Sequence, residues 1–118
     1  MNIPIHPVSV NAMYRAYRGR FILSEEGRQF KKNMSNYLCE VKDIKLTTEP
    51  VKVSIIFSFS DKRRRDVDNY AKAILDCLTG VLYKDDSQII ELHLYKKLNA
   101  ETEGILFECF TVAAASEC

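Results

Sequence analysis

No stretch of this chain is apolar for more than a few residues, so a membrane-spanning helix, which needs about 20, cannot be drawn. Residues 1–4, Met-Asn-Ile-Pro, lack the charged head and apolar run of a secretory signal. A cytoplasmic protein with no membrane partner is expected. The four glycines leave no G-x-x-x-x-G-K-[ST] phosphate loop, and no serine sits in a nucleophile elbow. Cys39, Cys77, Cys109 and Cys118 include no C-x-x-C pair, which argues against zinc. The first three fall in apolar patterns, where a free thiol acts as a small hydrophobe. Only two histidines occur, His6 and His93. Neither has a ligand-spaced partner, so both are expected to be solvated or hydrogen-bonded.

What is present suits a folded domain. Hydrophobic residues make up 47% and charged residues 28% of 118 positions, which excludes disorder as the default. A chain of this length is expected to form one domain with its own core.

The net charge of +1 conceals an asymmetry. Residues 1–72 hold 14 of the 17 lysines and arginines against 8 of the 16 acids, a net +6, whereas residues 73–118 hold 3 bases and 8 acids, a net −5. All seven arginines lie at or before Arg65, in two clusters around Arg15, Arg18 and Arg20 and around Arg63, Arg64 and Arg65. Arginine is the planar, bidentate partner of phosphate, so a basic face for a polyanion is expected. Tyr14 and Tyr17, interleaved with the first cluster, either stack on unpaired bases or anchor their loop to the domain.

Periodicity orders the elements as roughly β-α-β-α-β-β. Ile3, Ile5, Val8 and Val10 mark an edge strand broken by Pro4 and Pro7, and residues 11–20 read as a basic, aromatic loop. Ser24 is an N-cap candidate before Glu25 and Glu26, and Phe30, Met34, Tyr37, Leu38 and Val41 recur at helical spacing over residues 25–42. Strict alternation over residues 51–59 gives a strand. A second helix spans about 67–81, with the stripe Val67, Ala71, Ile74, Leu75, Leu78 and Leu82 and Gly80 near its end. Residues 88–98 and 104–113 read as two strands joined by the polar turn 99–103. The expected class is an α/β (α+β) two-layer fold, with two main helices on one face of a mixed sheet.

The densest chemistry lies at residues 61–72, Asp-Lys-Arg-Arg-Arg-Asp-Val-Asp-Asn-Tyr-Ala-Lys. Asp66 and Asp68 introduce the second helix, and either can serve as a cap stabilised by the macrodipole. Two carboxylates at one helix start repel unless a cation lies between them. Lys72, four residues after Asp68, projects from the same side, which fits an ordinary helical ion pair or an acid and a base presented to a substrate. Asp85 and Asp86 fall in the next turn, where aspartate is a common turn former. Gathered together, three carboxylates without histidine or cysteine suit hard Mg²⁺, with Mn²⁺ as a substitute. Such an ion can polarise a phosphodiester while an ammonium stabilises the transition-state charge.

These segments resemble the RusA-type Holliday junction resolvases. The likeness rests on residues 61–72, on Ile-Leu-Asp-Cys-Leu at 74–78 and on Gly-Val-Leu-Tyr-Lys-Asp-Asp-Ser-Gln-Ile at 80–89. Upstream, Ser-Val-Asn-Ala-Met-Tyr-Arg at 9–15, Arg-Gly-Arg at 18–20 and Ser-Glu-Glu-Gly at 24–27 are also similar. The resemblance implies a homodimeric, Mg²⁺-dependent endodeoxyribonuclease of bacterial or prophage origin. It would nick branched DNA, the four-way junction, symmetrically in recombination and repair. It implies metal-binding and catalytic roles for Asp66, Asp68 and Asp86, with Asp86 preferred to Asp85 because Ser-Gln-Ile follows. It implies an essential Lys72 and DNA contacts from Arg64 and Arg65, while the basic clusters as a whole, Arg15, Arg18, Arg20 and Arg63 included, with Asn69 beside them, are expected to hold flanking phosphates.

Two other readings compete. Glu40-Val41-Lys42 offers an E-x-K of the PD-(D/E)xK nucleases, but at a predicted helix end rather than on a strand. A non-catalytic nucleic-acid-binding module, its acids serving only as caps and turn residues, would bind with a steep salt dependence and cleave nothing.

Overall fold

A computed structural model describes residues 1–42 and 44–112. Residue 113, the expected end of the last strand, and Cys118 lie outside the described residues. The expected mixed α+β architecture is present, and one strand organises it. In β4 (Val51–Ser58), Val51, Val53, Ile55 and Phe57 are buried while the residues between them are not, the period-2 signature of a half-buried strand.

Both edges of β4 are occupied. β5 (Ile89–Lys97) pairs with it in parallel, and β6 (Gly104–Thr111) antiparallel on the other side. The edge strand β1 (Asn2–Ile3) pairs antiparallel with β6, giving the order β1-β6-β4-β5. β5 and β6 are therefore not neighbours, although only the short turn expected at 99–103 separates them. That connection passes over the end of β4, where Ala100 N–H donates to the Phe59 carbonyl at 2.9 Å and Asn99 N–H to that of Asp61 at 3.2 Å.

The inner sheet face carries α2 (Glu25–Glu40) and α3 (Val67–Leu78). The Ser24 side chain caps α2, accepting from Gly27 N–H at 2.9 Å, and the helix stops two residues before the expected end. Phe30 and Met34 bury into the core, and Tyr37 donates to the Asn2 carbonyl at 2.9 Å, holding α2 over β1. α3 presents Ala71, Ile74, Leu75 and Leu78 to the sheet. It ends at Leu78 rather than near 81, because Gly80 takes a φ of +87°, outside helical space.

Residues 11–20 are not a loop. They contribute to a short helix, α1 (Val10–Met13), and to the hairpin of β2 (Tyr14–Tyr17) and β3 (Arg20–Leu23). Arg18 and Gly19 both take positive φ, 48° and 75°, as a tight two-residue hairpin turn requires. Every residue of β2 is exposed, so the strand has no apolar alternation to betray it. The hairpin is clamped at its base, where Ser24 N–H donates to the Met13 carbonyl at 2.8 Å. Gly27 lies against the same carbonyl: a Cβ there would fall 2.3 Å from its oxygen.

Candidate active site

The path into α3 is a braced arch. Beyond β4, Asp61 accepts from Arg65 through both oxygens, at 2.6 and 3.3 Å, and from Arg63 N–H at 3.1 Å. These bonds, the Arg65 guanidinium first, hold the Asp61 carboxyl below its ordinary pKa. Arg65 also lies over the Phe59 ring, 4.2 Å from Cζ to centroid, and its carbonyl accepts from Lys96 Nζ at 2.7 Å. Its side chain is only 10% exposed. Asp61 and Phe59 brace its guanidinium, so Arg65 shapes the arch. Arg63 and Arg64 stay exposed on the outside of it.

The arch delivers Asp66 to the N-cap position of α3 and Asp68 to its first turn. Tyr70 sets the rotation of the helix by packing on Phe57 and Phe59, with ring centroids 5.9 and 5.1 Å away. The outward positions then fall to Asp68, Lys72 and Asp76, all exposed, with Asn69 half-buried beside them. Asp66 makes no side-chain capping bond. No hydrogen bond or ion pair engages the Asp66 or Asp68 carboxylate among the described residues.

Lys72 does not pair with Asp68. Its Nζ donates to Asp76 Oδ1 at 2.9 Å and lies 4.0 Å from Asp86 Oδ2. Asp76 raises the pKa of this ammonium most, with smaller contributions from Asp86 and Tyr14. Asp76 is the residue that sequence reasoning passed over. Its only signal was the acid four positions after Lys72, a spacing that carries a helical ion pair as well as the one before it.

The turn that brings Asp86 here is equally fixed. Tyr83 is fully buried, and its hydroxyl donates to the Leu75 carbonyl at 2.9 Å. Burial pushes its pKa up to about 12. Asp85 then caps a 3₁₀ turn, Asp86–Gln88: its side chain accepts from Ser87 N–H at 3.2 Å and from the Ser87 hydroxyl. Gln88 completes the capping box by accepting from Asp85 N–H at 2.9 Å, and it ties the turn to the carbonyls of Thr47 and Glu49, each at 2.9 Å. So Asp85 is consumed locally and Asp86 faces α3.

The remaining sequence candidates separate cleanly. Arg15, Arg18 and Arg20 are exposed on the β2–β3 hairpin. His6 and His93 make side-chain bonds to Glu103 at 2.7 Å and Glu91 at 2.8 Å, as expected of non-ligand histidines. Glu40 is the last residue of α2 and Val41 its C-cap, so no strand carries an E-x-K there. Among the described residues, no three acidic, histidine or cysteine side chains converge as a ready metal cage. The donor chemistry still fits Mg²⁺, which is commonly held by one or two carboxylates, its own waters and substrate phosphates. Asp66 and Asp68 offer such oxygens with no protein partner.

Residues 4–107 match the family described as Endodeoxyribonuclease RusA. The chain belongs to this family. It is 38% identical over 92 residues to the crossover junction endodeoxyribonucleases RusA of Escherichia coli strain K12 and of Enterobacteria phage 82, spanning 76% of this chain and 76% of each relative. The RusA protein of Enterobacteria phage HK97 is 26% identical over 83 residues, 70% of this chain and 69% of its own. RusA membership covers the arch, α3, the Asp85–Asp86 turn and the hairpin alike.

Proposed function

We propose that this chain is a crossover junction endodeoxyribonuclease, nicking four-way DNA junctions in recombination and repair. The observation that carries the reading is the Lys72 ammonium, which links Asp76 on α3 to Asp86 on the following turn, one helical turn from the free Asp68 carboxylate. An arrangement built only of caps and turn formers accounts for Asp85. It leaves the Asp66 and Asp68 carboxylates without a hydrogen-bond partner among the described residues.

In this reading Asp66, Asp68 and Asp86 would hold Mg²⁺, for which Mn²⁺ could substitute. A divalent ion bound there supplies Lewis acidity toward phosphate oxygen and lowers the pKa of a bound water. The chain's own groups do the rest. Lys72, kept protonated and aimed by Asp76, donates to a nonbridging phosphate oxygen as charge builds on it. Arg63 and Arg64, on the rim of the arch, and Arg15, Arg18 and Arg20, on the hairpin, bind flanking phosphates, and Asn69 hydrogen-bonds beside them. Arg65 keeps the arch in shape.

A four-way junction has approximate two-fold symmetry, and one chain supplies one cluster, so paired symmetric nicks call for a homodimer. Labelled four-way junction and matched linear duplex, each incubated with protein in Mg²⁺, Mn²⁺ or EDTA, test the reading. Paired nicks in the junction alone, dependent on the divalent ion, are expected. Binding without cleavage in either ion rejects it. Light scattering of the active protein, at twice the mass of one chain, tests the dimer.

A further inference from the structure

Of the large apolar side chains on the surface, Phe21 is the most exposed at 81%, against 44% for Tyr17 and 37% for Tyr14. The register of the hairpin explains why. Phe21 lies opposite Ala16, whose methyl cannot cover a ring. Cross-strand partners share a face, so Tyr14, Ala16, Phe21 and Leu23 form one side of the hairpin and Arg15, Tyr17, Arg20 and Ile22 the other. The second side is occupied with itself: Arg15 and Arg18 both lie over the Tyr17 ring, at 5.6 and 5.2 Å. The first side opens a groove of about 400 Å³ bounded by Val10, Asn11, Tyr14 and Phe21, the size range of small-ligand sites.

That groove opens beside α3, because α1, which contributes Val10 and Asn11 to it, packs against that helix. Three features thus coincide: an uncovered ring, an open groove beside α3 and a hairpin bearing three arginines. A second copy of this chain docking there would bring like arginines together, whereas a polyanion brings opposite charge. Within a polyanion, the partner for an exposed aromatic face is an unstacked base, a contact that tolerates any sequence.

We propose that Phe21 stacks on a base unpaired at the branch point, making the aromatic side of the hairpin the element that distinguishes a junction from a duplex. The inference rests on the junction-nuclease reading above. The chain contains no tryptophan, so Phe21→Trp installs a single emission reporter where the contact is made.

The test compares wild type, Phe21→Ala and Phe21→Trp in EDTA, binding a four-way junction or a linear duplex of equal length, with nicking then measured in Mg²⁺. Phe21→Ala is expected to lose about tenfold in junction affinity, the scale of one base–aromatic stack. Its duplex affinity, salt dependence and melting temperature should match wild type. Phe21→Trp should retain junction binding, its emission quenched by the junction and unaffected by the duplex. Equal losses on both DNAs, unchanged junction affinity, or a shift of Phe21→Ala in oligomeric mass each overturn the inference. If wild type nicks junctions and Phe21 proves indifferent, this inference fails alone. If wild type neither binds nor nicks them, the parent reading fails and takes the inference with it.

Discussion

Lys72 reaches forward along α3 to Asp76, at 2.9 Å, rather than back to Asp68. The choice leaves the Asp68 carboxylate unpaired and places the ammonium 4.0 Å from Asp86. An acid at either i−4 or i+4 can reach a helical lysine. Here Asp86, beyond the end of the helix, adds its pull on the forward side.

In the proposed mechanism this pairing should set the alkaline limit of nicking. Because Asp76 raises the Lys72 pKa, the favourable charge interaction is complete below the ordinary lysine range and fades as pH climbs through the raised value. The pH profile of nicking should show no loss from Lys72 across neutral pH. Asp76→Asn should move the alkaline limb to lower pH. Lys72→Ala should cost about 100-fold in turnover, the scale for removing a donor that meets developing transition-state charge, and Asp76→Asn less. Single-turnover rates across pH measure both.

The free carboxylates should separate binding from cleavage. In the proposed site Asp66→Asn, Asp68→Asn and Asp86→Asn would each remove a metal-binding oxygen and also a negative charge near phosphate. Junction affinity should hold or tighten while Mg²⁺-dependent nicking disappears, as EDTA should also cause in wild type. Asp85→Asn should behave differently, lowering the melting temperature by weakening the capping box while nicking persists. Retained nicking by Asp68→Asn would falsify the site.

Arginines of one cluster should divide by role. Arg63→Ala and Arg64→Ala should each flatten the plot of log affinity against log salt by about 0.9, one phosphate contact apiece. Arg65→Ala should instead lower stability, since Arg65 is held by Asp61 and Phe59. Asp61, whose pKa is depressed by Arg65, contributes stability above the ordinary carboxylate range and loses it as pH falls through the depressed value. Asp61→Asn should accordingly show a shallower acid limb in a pH series of thermal melts.

Gly27→Ala should damage the hairpin from a distance. Its Cβ would meet the Met13 oxygen at 2.3 Å, and that oxygen also accepts from Ser24 N–H. Overpacking of this kind costs about 1–3 kcal/mol, readable in urea unfolding, with DNA affinity falling alongside.

Where burial imposed a period, the chain was legible. Val51, Val53, Ile55 and Phe57 announced β4, and Ala71, Ile74 and Leu78 announced the inner face of α3. The hairpin was not, because β2 buries nothing and its chemistry is mixed on every position. Only Gly19, following Arg18, hinted at a turn. The acids and arginines were visible as candidates, and the fold adds partners to some of them: Asp85 spends its oxygens on Ser87, and Arg65 is braced by Asp61 and Phe59. Local propensity carries no information about either outcome, since both depend on partners supplied by the fold.

The sheet order also bears on how the molecule is made. β4 receives its neighbours from β5 and β6, both synthesised later. A nascent chain that has just left the ribosome with residues 51–58 therefore carries two open hydrogen-bonding edges flanking an apolar face, one waiting for residues 89–97 and the other for residues 104–111. Such delayed, non-local pairing folds slowly and exposes the intermediate to aggregation. Expression at reduced temperature, or with holdase chaperones in excess, should raise the yield of correctly assembled protein.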